Sequence, residues 1–350
     1  MTEIPRLRRS GTVHKPGIVH LGPGAFFKAF NAVYTEDARR AHGGDWGIIA
    51  VSLKSDRAAR DLHPQGCAYT SVALGPDGNE VRIINAVTDV LVAAQNRDAV
   101  LEAMSDPAIS IVSLTITEKG YCHNPATGAL RLDAPEIQSD LAHPTQPETA
   151  PGLIVEALAR RRSAGHAPFT VLSCDNLPDN GSVARGVVLD FAQARDPALA
   201  NWIADQVPFP ATMVDRITPA TTQADVERLA MDKGYMDPAC VQHAPFRQWV
   251  IEDNFCAGHP DWDKAGATFS DHVHDFEIMK IRILNGGHQV IAVPAEVLSV
   301  ETIAGCMQHE AISELFLKIA RTEVVPHVKS VPGMTPEDYV DLIFNRFANP

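Results

Sequence analysis

Short apolar runs alternate with longer helical stretches through the first part of the chain, and this alternation limits its possible folds. The runs are predicted strands at residues 18–21, 46–53, 108–117 and 169–177. Predicted helices lie at about 25–40, 152–162 and 183–195. Because strands and helices alternate, we predict an α/β fold with a mostly parallel sheet.

Polar residues follow several predicted strands, at the sheet edge where parallel sheets bind their ligands. They are Gly22–Gly24, Ser55, Asp56, Thr117, Glu118, Asp175 and Asn176.

The strand pattern disappears from about residue 276. The segments "EIMKIRILNGGHQVIAVPAEVL" and "HEAISELFLKIARTEVV" have the character of helices instead. A chain of 350 residues is long enough for two domains. We therefore predict one domain over residues 1–270 and the beginning of a mainly helical domain over residues 271–350.

Charge and cysteine content exclude several classes of protein. A formal net charge of −13 argues against binding to nucleic acid or to an anionic membrane. The N-terminus lacks the apolar core of a signal peptide, and no apolar run is as long as a membrane span. The six cysteines form no C-x-x-C pair, which favours reduced thiols. We predict a cytoplasmic protein, monomeric or a small homo-oligomer, that acts on small molecules.

The segment "IVHLGPGAFFKAF" at residues 18–30 joins a strand, a glycine turn and a helix. Gly22 would permit a tight turn, and Gly24 would let the backbone approach a pyrophosphate group at the helix N-terminus. Phe27 occupies the place of the third glycine in G-x-G-x-x-G. The loop alone is therefore as consistent with an ordinary turn as with a dinucleotide site.

Asp56 follows the second predicted strand, where an acidic residue would bind the adenosine ribose hydroxyls and favour NAD. Lys54 and Arg57 flank it and would instead suit the 2′-phosphate of NADP. The residues by themselves leave the choice between the two cofactors open.

Four polar residues interrupt an apolar segment, "DFEIMKIRILNGGHQV". On an α-helix, Lys280, Asn285 and His288 would span an arc of about 140°, with Glu277 inside it. Buried polar groups need partners, so the arc predicts a polar site. Burial would also lower the pKa of a lysine and make it a usable base. The alternative is a buried, paired lysine with a structural role only.

Other redox arrangements are less consistent with the sequence. No tyrosine is followed by a lysine four residues later, and no cysteine cluster suggests a zinc site. His272, His274 and Glu277 are possible metal ligands, but solvated histidines in a linker are the commoner case. We predict no metal.

Six stretches, in order along the chain, resemble the polyol-specific long-chain dehydrogenases, the mannitol dehydrogenase family. They are "IVHLGPGAFFKAFNAVYT", "IVSLTITEKGYC", "VLSCDNLPDNG", "MVDRITPAT", "PFRQWVIEDNF" and "KIRILNGGH". The resemblance implies a Rossmann-like NAD-binding domain followed by a helical domain. It also implies metal-independent hydride transfer between NAD(H) and a sugar acid or polyol.

The resemblance further implies roles for individual residues. Lys280 corresponds to the catalytic lysine, and Asn285 and His288 to its partners on the substrate oxygen. The implied substrate-site residues are Glu118, Asn176, Asp215 and Glu277. In this family the cofactor loop has the form G-x-G-x-F, so the implied cofactor residues are Gly22, Gly24, Ala25 and Phe26, with Asp56 after the second strand.

Two departures from the family pattern are visible. The loop continues as Phe26-Phe27-Lys28-Ala29-Phe30, where members often have F-H-R-A-H. Members also usually continue well past the part that "NRFANP" matches, so the resemblance implies a truncated C-terminal domain that lacks further basic substrate contacts.

The substrate is predicted from two stretches, "TITEKGYC" and "PFRQWVIEDNFCAGHPDWDKAGATF". They favour the fructuronate reductase (D-mannonate oxidoreductase) branch of the family. The alternative within the family is mannitol 2-dehydrogenase, which acts on D-mannitol and D-fructose. An alternative of another class is a non-catalytic sugar- or nucleotide-binding protein, or an inactive fragment.

Overall fold

A computed structural model describes residues 4–76 and 78–349, so the first three residues of the chain, Asp77 and Pro350 lie outside the described residues. The strands are β1 (Pro16–Leu21), β2 (Gly47–Ser52), β3 (Tyr69–Gly75), β4 (Gly78–Ile84), β5 (Val87–Val92), β6 (Ile111–Leu114), β7 (Thr170–Ser173), β8 (Thr212–Asp215), β9 (Val241–His243), β10 (Gln248–Ile251) and β11 (Thr268–Phe269).

The α-helices are α1 (Ala25–Ala29), α2 (Asn31–His42), α3 (Arg57–Leu62), α4 (Arg97–Ser105), α5 (Thr117–Gly120), α6 (Pro135–Ala142), α7 (Ala150–Ala164), α8 (Asn180–Arg195), α9 (Pro197–Gln206), α10 (Gln223–Lys233), α11 (Val273–Met279), α12 (Gly286–Val297), α13 (Ile303–Gln308), α14 (Glu310–Ile319) and α15 (Pro336–Phe347). Two π-helical segments, Lys280–Asn285 and Ala320–Val324, and two 3₁₀ turns, His63–Gln65 and Val325–His327, complete the list. Within the described residues, no helix has both the length and the apolar character needed to cross a membrane.

The described residues form two compact units. The first contains residues 4–74 and 80–269, and the second contains residues 75–76, 78–79 and 270–349. Compact packing does not show independent folding, so the predicted domains, 1–270 and 271–350, remain a prediction.

A five-stranded sheet with the order β5-β2-β1-β6-β7 forms the centre of the first unit, and all of its neighbouring strands are parallel. Side chains of β1 alternate between two cores: Val19 and Leu21 pack with α4, α7 and α8, whereas Ile18 packs with α1 and α2. Because both faces are covered, the strand sequences are almost continuously apolar. The predicted α/β fold with a mostly parallel, Rossmann-like sheet is confirmed.

Two smaller sheets extend this unit, in the orders β11-β10-β8 and β4-β3-β9. The antiparallel pairing of β8 with β10 places Gln248 opposite Asp215. Neither of these sheets is predicted from the sequence.

The predicted helix at about 25–40 is wrong in one respect, because the chain forms two helices that break at Phe30. Phe30 has φ −125° and ψ −82°, outside the helical region. Its fully buried ring lies 5.1 Å from the ring of Tyr34 and 5.5 Å from that of Trp249, measured between centroids. Packing of this side chain therefore overrides the local helical preference.

The second unit is mainly helical, as predicted, but it is not uniformly α-helical. The predicted helix from residue 276 contains the π-helical segment Lys280–Asn285 between α11 and α12. In a π-helix the hydrogen bonds run from i to i+5, which changes the angle between successive side chains. The 140° arc predicted for Lys280, Asn285 and His288 assumed an unbroken α-helix, so that part of the prediction is wrong.

Candidate functional site

Hydrogen bonds connect the loop after β1 to β2 and to the residue that follows β6. The amide of Gly22 donates to the carbonyl oxygen of Val51 at 2.9 Å, and the hydroxyl of Thr115 donates to the carbonyl oxygen of Gly22 at 2.7 Å. Gly22 has φ +96°, and a Cβ added there would lie 2.2 Å from the carbonyl oxygen of Thr115. The fold itself therefore requires glycine at position 22.

Gly24 is a glycine for which the fold gives no such reason. A Cβ at this position would meet only the carbonyl oxygen of Gly22, 4.0 Å away. Its φ of −77° is accessible to any residue. A side chain at position 24 would fit the protein, so packing within the described residues does not require glycine there.

This loop borders a cleft of about 720 Å³ at the carboxyl ends of β1, β2 and β6. Among the predicted cofactor residues, Gly22, Gly24 and Ala25 line the cleft. Its other walls include Ser52, Leu53, Ser55, Thr115, Ile116, Thr117, Thr221 and Ala239. A parallel sheet binds its ligands at this edge, so the cleft has the position expected of a dinucleotide site.

The other two predicted cofactor residues, Phe26 and Asp56, are not among the residues that line the cleft. The ring of Phe26 stacks on that of Phe30 with 4.8 Å between centroids. The carboxylate of Asp56 lies 3.3 Å from the guanidinium of Arg60, which lines the cleft together with Arg57.

Lys28 is a cation that lines the cleft, and it is not among the site residues predicted from the sequence. Its ammonium group donates to the carbonyl oxygen of Ala239 at 2.7 Å, and this hydrogen bond joins two residues that line the cleft. Burial lowers the pKa of Lys28, and the nearby carboxylate of Asp237 partly opposes that shift. The hydroxyl of Tyr69 holds the backbone in place by donating to the carbonyl oxygen of Lys28 at 2.6 Å.

His20 contacts the loop after β1 from its buried side, and it too is not predicted from the sequence. Its ring is fully buried, with Nδ1 2.8 Å from the hydroxyl of Ser113 and Nε2 2.8 Å from that of Thr115. The imidazole stacks on the ring of Phe27 at 3.8 Å between centroids. Burial lowers the pKa of His20 to about 3, so the imidazole is neutral at physiological pH.

Asp175 fixes the next loop along the sheet edge. Its carboxylate accepts from the amides of Ile116 and Thr117 at 3.0 and 2.8 Å and from the hydroxyl of Tyr121 at 2.7 Å. Burial raises the pKa of this carboxyl group, and the hydrogen bonds from Tyr121 and the two amides oppose the rise. Asp175 thereby positions the segment that carries Glu118.

The predicted substrate residues of the first unit lie at the ends of three strands. Glu118 is exposed in α5 after β6, Asn176 is exposed after β7, and Asp215 is buried at the end of β8. The side chain of Asn180 donates to the carbonyl oxygens of Asp175 and Thr212 at 3.1 and 2.8 Å, which connects the ends of β7 and β8.

The predicted catalytic residues lie in the second unit. Lys280 begins the π-helical segment and is only 7% exposed, whereas Asn285 and His288 are half-buried. The ring of His288 lies 4.5 Å from that of Phe347, centroid to centroid. Short π-helical segments occur frequently at functional sites, which supports a functional role for this one.

Glu277 is half-buried one turn before Lys280, with its carboxylate 3.7 Å from Nδ1 of His274. His272, the third suggested metal ligand, instead lies 3.5 Å from the carboxylate of Asp275.

Comparison with known proteins places these features in one family. Residues 16–264 match the mannitol dehydrogenase Rossmann domain, and residues 272–350 match the mannitol dehydrogenase C-terminal domain. Mannitol 2-dehydrogenase of Cereibacter sphaeroides is 47% identical over 96% of this chain and 70% of its own length. D-mannonate oxidoreductase of Escherichia coli K12 is 44% identical over 95% of this chain and 69% of its own.

A solved structure agrees with the sequence matches. The ternary complex of Pseudomonas fluorescens mannitol 2-dehydrogenase with NAD and D-mannitol is 40% identical and superposes with a TM-score of 0.90, covering 99% of this chain and 71% of the other. The resemblance inferred from six sequence stretches is confirmed. The chain therefore belongs to the mannitol dehydrogenase family of oxidoreductases.

Proposed function

We propose that the chain is an NAD-dependent oxidoreductase that interconverts D-fructuronate and D-mannonate by reversible hydride transfer. The main support for hydride transfer is the position of the loop from Gly22 to Ala25. This loop borders the 720 Å³ cleft at the carboxyl ends of three parallel strands, where a dinucleotide is expected to bind. Gly24 in this loop has open space where a side chain would be.

NAD fits this cleft. Gly24 would let a pyrophosphate group approach the backbone where α1 begins, and Ser55 and Arg57 after β2 line the part where the adenosine ribose of a dinucleotide is expected. Asp56 would reach the ribose hydroxyls after a rotation away from Arg60. When bound, NAD supplies the hydride acceptor for the alcohol carbon.

Lys280 is the proposed acid/base. In oxidation of the alcohol, its neutral amine takes the hydroxyl proton while the carbon loses a hydride, and the reverse steps reduce the ketone. Asn285 and His288 would donate hydrogen bonds to the oxygen as negative charge develops on it. Glu118, Asn176, Asp215 and Glu277 are the proposed substrate-binding residues.

Two segments support a uronate as the substrate. The stretches at residues 115–122 and 245–269 are similar to the fructuronate reductase branch. Exposed Lys119, beside Glu118 in α5, is a cation available for a carboxylate. Identities of 44% to a D-mannonate oxidoreductase and 47% to a mannitol 2-dehydrogenase do not separate the two substrates. The similarity to a mannitol 2-dehydrogenase makes D-fructose with D-mannitol the second candidate pair.

The cysteines support a proposal for the cellular location of the protein. All six cysteines are free thiols in the described residues, and only Cys256 among them is exposed. Free thiols are typical of the cytoplasm. We propose a cytoplasmic enzyme that is monomeric or a small homo-oligomer.

The test is a set of initial rates with NADH and D-fructuronate, D-fructose or D-tagaturonate, together with a titration of NADH alone. We expect the highest kcat/KM with D-fructuronate. A kcat/KM that favours D-fructose would move the assignment to mannitol 2-dehydrogenase. Binding of NADH without turnover of any of the three would instead favour a non-catalytic binding protein.

A further inference from the structure

A second, smaller pocket of about 180 Å³ lies in the first unit, and it shares no lining residue with the cofactor cleft. Three arginines from separate segments form its walls: Arg82 on β4, Arg216 after β8 and Arg247 before β10. Ser71 on β3 and His243 on β9 also line it. None of these five residues has a role in the proposed hydride transfer.

The arginines are held in place by the protein but are not all neutralised by it. Arg216 donates to the carbonyl oxygens of Ala244 and Ala29 at 3.1 and 2.6 Å and to that of Pro245 at 3.5 Å. No described carboxylate forms an ion pair with it. A guanidinium has five N–H donors, so about two of those on Arg216 remain for another acceptor.

Arg247 has an unsatisfied donor as well. Its Nη2 lies 2.8 Å from the carboxylate of Asp37, and the guanidinium stacks over the ring of Tyr34 at 4.1 Å from the centroid. Its Nη1 is buried and has no hydrogen-bond partner among the described residues. A buried charged donor without an acceptor is costly and requires an explanation.

The remaining polar groups leave the pocket net positive. Asp37 pairs with both Arg82 and Arg247, and Glu80 is a second carboxylate, at an exposed position 4.0 Å from Arg82. Three positive charges thus face two negative ones. Burial, and then the neighbouring Arg247, lower the pKa of Arg216 to about 10, so an anion there would relieve repulsion between the arginines.

His243 adds no charge to this balance. Burial lowers its pKa to about 4, so the ring is neutral at physiological pH. Nδ1 lies 2.9 Å from the carbonyl oxygen of Ala244, which can only accept, so Nδ1 carries the proton. Nε2 therefore accepts from the hydroxyl of Ser71 at 2.6 Å, and the pair forms a neutral polar wall.

We propose that this pocket binds a small tetrahedral oxyanion, such as inorganic phosphate, with Arg216 and Arg247 as its principal donors. Guanidinium groups bind such oxygens by paired, charge-assisted hydrogen bonds. The donors come from three separate segments. They therefore fit an acceptor whose oxygens point in three directions better than they fit a planar carboxylate. The volume of about 180 Å³ suits a single oxyanion and is too small for a nucleotide.

The test is calorimetric titration of inorganic phosphate, with chloride used to hold the ionic strength constant. Runs with saturating NADH distinguish this pocket from the cofactor cleft, whose glycine loop would also accept phosphate. We expect one phosphate site per chain that NADH does not displace. Arg216→Gln and Arg247→Gln should each weaken it about tenfold or more, because each removes charge-assisted hydrogen bonds.

Arg82→Gln provides a variant that leaves the backbone contacts of Arg216 intact, and it should weaken phosphate binding several-fold. Arg228→Gln is the matched control, since Arg228 is an exposed arginine of α10 outside the pocket. If Arg216→Gln or Arg247→Gln does not fold, the phosphate affinities of Arg82→Gln and Arg228→Gln are compared instead, and weaker binding by Arg82→Gln alone supports the proposal. The proposal is wrong if NADH displaces the phosphate, or if folded pocket variants bind phosphate as tightly as the parent protein.

Discussion

The carboxylate of Asp175 accepts a 2.7 Å hydrogen bond from the hydroxyl group of Tyr121 and also the amide protons of Ile116 and Thr117. A single buried side chain at the end of β7 thereby holds the loop that follows β6. Thr117 in that loop has φ +63°, a conformation that disfavours a β-branched residue and needs support from its surroundings.

Replacing Asp175 by alanine should lower the free energy of unfolding by at least about 3 kcal/mol, because three donors lose an acceptor and each costs about 1–3 kcal/mol when buried. Urea denaturation measures the change. Asp175→Asn retains one carbonyl oxygen and should lose less stability. An alanine variant as stable as the parent protein would show that this carboxylate does not hold the loop.

Gly22 and Gly24 should respond to substitution in opposite ways. Gly22→Ala places a Cβ 2.2 Å from the carbonyl oxygen of Thr115 and should lower the melting temperature strongly. Gly24→Val should leave the melting temperature nearly unchanged and weaken NADH binding strongly, since its side chain would occupy the place of the pyrophosphate group. Thermal unfolding and NADH fluorescence titration on both variants test this. Tight NADH binding by Gly24→Val would remove the loop from the cofactor site.

His20 should make the protein sensitive to acid. The pKa of this imidazole is about 3 in the folded protein and about 6.5 in a model peptide, so the folded state binds fewer protons. The stability that neutral His20 contributes is therefore fully present above pH ~6.5 and is lost as the pH falls towards 3, by about 1.4 kcal/mol per pH unit.

His20→Phe removes the titrating group and keeps a ring against Phe27, at the cost of two hydrogen bonds to Ser113 and Thr115. We expect it to be less stable than the parent protein near neutral pH and to lose stability less steeply on acidification. Denaturant unfolding of both proteins between about pH 7 and pH 4 gives the comparison. Parallel curves would contradict the assignment to His20.

The sequence predicts the central sheet because β1, β2, β6 and β7 are covered on both faces and are therefore almost wholly apolar. The edge strand β5 carries the polar pair Thr88 and Asp89, and the apolar pattern that marks its neighbours is weaker there. The break at Phe30 depends on contacts with Trp249, more than two hundred residues later in the chain. No local pattern could have predicted that contact.

The candidate site likewise contains some features that the sequence predicts and others that it does not. The Gly22 and Gly24 positions are predictable because a strand, a turn and a helix follow one another within a short segment. The roles of His20 and Asp175 depend on partners about sixty to ninety residues away in the chain. The π-helical segment at Lys280 differs from an α-helix by one residue per hydrogen-bonded ring, a difference for which its sequence shows no signal.

Asp56 is expected to select NAD. Asp56→Ala should raise the dissociation constant for NADH about tenfold or more and reduce the preference for NADH over NADPH, because charge-assisted bonds to the ribose hydroxyls would be lost. Stability should change by less than about 1 kcal/mol, since the pair with Arg60 is largely exposed. Asp98→Ala, an exposed acidic residue in α4, is the control. Titration with both cofactors tests this, and unchanged ratios would remove Asp56 from the cofactor site.

Lys280 is the residue on which the proposed chemistry depends. Lys280→Ala should lower kcat by about 10²–10⁴-fold, as expected for loss of a general acid/base, and should leave NADH binding nearly unchanged. Lys318→Ala, an exposed lysine of α14 in the same unit, should keep full activity. Asn285→Ala and His288→Ala should lose rate by a smaller factor, because they act on the oxygen and not on its proton.

The competing explanation is that Lys280, with only 7% of its surface exposed, stabilises the helix and takes no part in catalysis. Removal of a buried, structural lysine would lower the melting temperature and spare the specific activity of the folded fraction. Removal of a proton carrier would have the opposite pattern, with turnover lost even where the variant is fully folded and binds NADH. Turnover, NADH affinity and thermal unfolding measured on one Lys280→Ala preparation separate the two. Full specific activity in that preparation would assign the acid/base to another residue.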